Sequence, residues 1–131
     1  VSRLRDYGYN LGMAYQVMDD VLDFLATSEE LGKPACNDLR QGILTLPSIM
    51  LVEGSPDGTE IAELFASSPN DRDIFLQRAV DEIRQADILE QSINVAREYA
   101  NMARRSLESI PDSTVRTSLL LLADFATSRT N

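Results

Sequence analysis

Asp19, Asp20 and Asp23, spaced Asp-Asp-x-x-Asp, place three carboxylates within five residues. On a helix, Asp19 and Asp23 stand one turn apart on one face, where like charges repel unless something positive sits between them. Magnesium is the natural candidate, because it prefers hard oxygen ligands and is usually held by one or two carboxylates together with waters and substrate phosphates. Residue type alone leaves calcium and manganese open. Gln16 sits a turn earlier, and its amide can donate to a phosphate oxygen or hold an aspartate; spacing does not separate the two. Downstream, Gly32-Lys33-Pro34 and Asp38-Leu39 add a cation and another acid. Taken singly, Lys33 reads as a solvated surface lysine, and Asp38 reads equally well as a helix cap. The chain has no histidine, so a histidine general base, a Ser-His-Asp triad and a histidine-bound zinc are excluded. Chemistry must rest on carboxylates, lysines and arginines.

The element that positions the aspartates is a long helix. Apolar residues recur at spacings of three and four throughout, and period-two alternation never persists, so the chain reads as all-α. Ser2 is expected to cap a first helix running to about Ser28, followed by a loop over Glu29 to Gly42 with breakers at Gly32, Pro34 and Gly42. Counting about 100° per residue puts Gly12, Gln16, Asp19, Asp20 and Asp23 in an arc roughly 100° wide. Leu11, Met13, Ala14, Tyr15, Val17, Met18, Val21, Leu22, Phe24 and Leu25 fill the rest, which predicts a helix covered by protein on most sides. An acidic helix face is ordinarily a solvated one. A narrow acidic stripe on a central helix must instead be neutralised by cations or line a polar cavity. Gly12 marks a close approach to that arc, by a ligand or by a packed helix.

Further helices are expected over Ile43 to Val52, with Pro47 near its start or kinking it, and over Thr59 to Ala66 after the turn Gly54-Ser55-Pro56-Asp57-Gly58. Another opens at Asn70 or Asp71 with Ile74, Phe75, Ala79, Val80 and Ile83 on one face, and a longer amphipathic one covers Ile88 to Leu107. Pro111 and Asp112 lead into a last helix from Ser113 to about Ala126, and residues 128–131 form a frayed polar tail. At 131 residues and 44% apolar content, a single domain, residues 1–131, is the expectation. The first residue is valine and the text opens within helix, so the chain reads as a piece of something longer.

Acids outnumber bases 21 to 12, a net charge of -9. That balance repels nucleic acid and anionic membrane surfaces, yet admits an anionic substrate when a divalent cation lies between. Cys36 is the lone cysteine, so no intramolecular disulfide forms and a cytoplasmic location is expected. No run approaches the roughly 20 apolar residues of a membrane span, and no signal pattern opens the chain.

Taken together, Tyr7-Gly8, Leu11-Gly12, Ala14-Tyr15-Gln16, Asp19-Asp20-Val21-Leu22-Asp23, Gly32-Lys33-Pro34, Asp38-Leu39, Gly42 and Thr45-Leu46-Pro47 resemble the second conserved region of trans-isoprenyl diphosphate synthases, the polyprenyl synthetases. The match covers roughly the first third of the chain, and the remainder resembles the family only as generic helices. The resemblance implies the carboxy-terminal part of the isoprenoid synthase fold. It also implies an enzyme that condenses isopentenyl diphosphate with an allylic diphosphate held through magnesium, making a longer polyprenyl diphosphate as a homodimer. By resemblance, Asp19 ligates magnesium directly, Asp20 and Asp23 act directly or through its waters, Lys33 and Gln16 contact the diphosphate, and Asp38 supports the metal's waters. Asp19 and Lys33 are then the catalytic pair.

Two departures stand out: Cys36 replaces a common glycine and Tyr15 a common phenylalanine. The family's first aspartate motif is absent, and Asp71-Arg72-Asp73 has neither its spacing nor its context. Half of a two-sided clamp implies that these residues alone are inactive. The competing reading is a non-catalytic partner subunit of a complete synthase. A terpene cyclase, which shares the fold, is disfavoured by the Asp19-Asp20-Asp23 pattern together with Gly32-Lys33.

Overall fold

The computed structural model describes residues 1–25, 43–54, 79–83 and 87–128. Four helices run α1 (Ser2–Leu25), α2 (Leu46–Gly54), α3 (Ile88–Ser106) and α4 (Thr114–Ser128), and residues 79–83 are also helical. No strand occurs among the described residues, so the all-α expectation holds. The loop over 29–42, the helix over 59–66, the start of the helix expected at 70 or 71 and residues 129–131 lie outside the described residues. None of the described helices is long and apolar enough to cross a membrane.

Contacts gather in two compact units, one built from Val1–Asp19 with Ser92–Asn131 and the other from Asp20–Gln91. In the first, two neighbouring clusters make the core. Tyr7, Ala103, Leu107 and Ala123 are buried together, with Leu11, Ile110, Leu119 and Leu120 packed against them. Ala14, Ala100 and Ala126 form the other, flanked by Leu11, Tyr15 and Tyr99. The reason is legible on α3, where Ser92, Ala96, Ala100 and Ala103, continued by Leu107 just past its end, recur every three or four residues and are fully buried. Small side chains along that face let neighbouring helices approach closely, and Leu107 fills the wider end. The Tyr7 hydroxyl donates to the Leu119 carbonyl at 2.7 Å, and burial pushes its phenol above the ordinary tyrosine value of 10.0. In the second unit Val21, Phe24, Leu51, Ala79, Val80, Ile83 and Leu89 are buried.

Helix ends follow local chemistry. The Arg5 amide bonds the Val1 carbonyl at 3.1 Å, so Val1 stands at the cap and Ser2, expected there, is the first helical residue. The second helix begins three residues later than its apolar run suggests. Pro47 lies in the first turn, where its missing N–H costs nothing. The Ser48 hydroxyl accepts from the Thr45 amide and donates to the Thr45 carbonyl, both at 2.8 Å, so one side chain satisfies the backbone at the helix start. Ile43 and Leu44 are left outside the helix. The third helix closes in tight turns, Leu107 to the Arg104 carbonyl at 3.0 Å and Ile110 to the Leu107 carbonyl at 3.0 Å. Ser113 then caps α4: its hydroxyl accepts from the Arg116 amide at 3.2 Å and its carbonyl from the Thr117 amide at 3.0 Å.

Candidate functional site

Packing of α1 decides which way its polar residues face. Within the first unit, Tyr15 and Leu11 lie against the Ala14, Ala100 and Ala126 cluster. Val17 and Met18 are buried on the same helix, as are Val21 and Phe24 a turn further on. With those sides occupied, the arc of Gly12, Gln16 and Asp19 is exposed, and Asp20 and Asp23 are half-buried. The expectation that α1 is covered on most sides therefore holds for its middle. It does not hold at Leu25, which is 46% exposed.

The polar stripe thus stands on one continuous helix. Asp19 and Asp23 are separated by about 6 Å along its axis, at 1.5 Å per residue. Nothing basic lies in the last described turn of α1, and the like charges of Asp19 and Asp23 one turn apart favour a bound cation. Gln16, Asp19, Asp20 and Asp23 each have a bonding or electrostatic partner within the chain. No described atom lies within 4 Å of the point where a Cβ would stand on Gly12. The tight helix contact that was one reading of Gly12 is therefore not formed among the described residues. Lys33, Cys36 and Asp38 lie outside them.

Among the described residues, no three or more acidic or cysteine side chains come together as a metal cage. The donors on α1 suit a cation that takes one or two carboxylates and completes its shell with water and phosphate oxygens, the habit of magnesium. The same arc, carried towards the helix start at about 100° per residue, includes Tyr9 and Arg5. Tyr9 is 64% exposed and Arg5 is also exposed.

The sequence profile of the family described as polyprenyl synthetase matches residues 1–83. A prenyl transferase of Cyanophora paradoxa is 34% identical over 126 residues, covering 96% of this chain and 38% of that protein. The polyprenyl synthase of Caulobacter crescentus CB15, solved in complex with calcium and isoprenyl diphosphate, is similar at a TM-score of 0.79 and 36% identity, over 99% of this chain and 40% of its own. The heptaprenyl diphosphate synthase of Staphylococcus aureus reaches a TM-score of 0.86 at 30% identity, again over 99% of this chain and 40% of its own. The chain spans 24% to 38% of the length of the first curated relatives it matches.

Proposed function

The chain belongs to the polyprenyl synthetase family, and from that premise we propose that it supplies the second metal-binding side of a prenyltransferase. The enzyme it serves joins isopentenyl diphosphate to an allylic diphosphate and releases diphosphate and a longer polyprenyl diphosphate. The observation that carries this reading is the stripe on α1: Asp19 exposed, Asp20 and Asp23 half-buried, on a helix whose middle is otherwise packed. The solved relative complexed with calcium and isoprenyl diphosphate supports a divalent cation and a prenyl diphosphate as the ligands of that stripe.

In this reading Asp19 binds the metal directly, and Asp20 and Asp23 bind it directly or hold its waters. Gln16 donates its amide to a diphosphate oxygen, Lys33 neutralises the same group, and Asp38 orients metal-bound water. When bound, magnesium supplies the positive charge that offsets the charge growing on the departing diphosphate. The carboxylates fix where that charge sits, so the allylic carbon–oxygen bond can break while the diphosphate is held in place. The electron pair of the isopentenyl double bond then forms the new carbon–carbon bond, and loss of a proton restores the alkene. A facing aspartate motif is needed to complete the clamp, so residues 1–131 alone, part of one domain, are inactive. The working enzyme is a homodimer, and the lone Cys36 fits a reducing, cytoplasmic setting.

The test is prenyl transfer by the full-length protein with isopentenyl and farnesyl diphosphates and magnesium, beside its Asp19→Ala variant. Loss of one charge-stabilising group from the site is expected to lower kcat by about 10²–10³-fold. Equal activity in both proteins overturns the metal assignment, and absence of activity in the parent overturns the enzyme reading.

A further inference from the structure

We draw no further inference here: the strongest candidate, the outer face of α4 formed by Val115, Leu121, Leu122 and Phe125, is an exposed apolar surface, and nothing in the structure shows what covers it.

Discussion

The two compact units carry very different charge. The unit of Val1–Asp19 and Ser92–Asn131 holds 6 acids and 7 bases, whereas Asp20–Gln91 holds 15 acids and 5 bases, a net of +1 against -10. The near-neutral unit spends its sequence on packing: an alanine face on α3, an Arg104–Asp124 ion pair and a hydroxyl tied to a carbonyl. The acidic unit carries most of the chain's negative charge, and α1 runs through both, with the division falling between Asp19 and Asp20. That helix buries apolar side chains on both sides of the division, Ala14, Val17 and Met18 before it and Val21 and Phe24 after it, while Asp19, Asp20 and Asp23 share its polar arc. Packing and carboxylate charge thus lie on different sides of one helix, and substitutions should separate their effects.

The largest effect on stability belongs to the packed unit. Leu107 is fully buried with Tyr7, Ala103 and Ala123, and Leu107→Ala is expected to lower the unfolding free energy by about 2–5 kcal/mol in urea denaturation. In the same assay Asp19→Ala should change it by less than about 0.5 kcal/mol, because Asp19 is exposed. A large loss from Asp19→Ala would make the stripe structural and erase the contrast.

Tyr7 sharpens the comparison through pH. Its phenol titrates above the ordinary tyrosine value because burial disfavours the anion. The unfolded chain ionises first, so the neutral form's contribution is complete below the unfolded value near 10. It is then lost as pH rises towards the folded value. Tyr7→Phe should cost about 0.5–1.5 kcal/mol at neutral pH through the missing bond to Leu119. It should also flatten the decline in stability above pH 10, as followed by denaturation at a series of pH values. An unchanged slope would remove Tyr7 as its source.

How far these roles were legible from the sequence depended on what each signal encodes. The alanine face of α3 follows from its 3.6-residue period, and the expected span, Ile88 to Leu107, differs from the observed Ile88–Ser106 by one residue. The last helix was placed to within a residue, its expected start Ser113 standing just before the observed Thr114 as the cap whose hydroxyl accepts from the Arg116 amide. The start of the second helix differs from the expected Ile43 because apolar periodicity cannot see the bonds of the Ser48 hydroxyl to the Thr45 backbone. Apolar content also does not reveal whether a neighbour is present, so Leu25 counts among the covered residues of the helix although it is 46% exposed. The arc of Gln16, Asp19, Asp20 and Asp23 was readable from spacing alone; Lys33 and Asp38 gained a role only from resemblance.

A smaller effect is expected at the surface. The Arg104 Nε donates to Asp124 Oδ1 at 2.7 Å, and the two side chains are 32% and 56% exposed. A double-mutant cycle with Arg104→Ala and Asp124→Ala should return a coupling of only about 0.2–1 kcal/mol, reduced further by salt. A coupling several times larger would mean that charge pairing, and not the alanine seam, dominates the near-neutral unit.

The central claim is that the α1 carboxylates bind diphosphate only through a divalent cation. Titration calorimetry of the full-length protein with inorganic diphosphate, with and without magnesium, addresses it directly when repeated on Asp19→Ala/Asp23→Ala. The account predicts binding that requires magnesium and weakens at least tenfold in the double variant. Equal binding without metal, or undiminished magnesium-dependent binding by the variant, would contradict it.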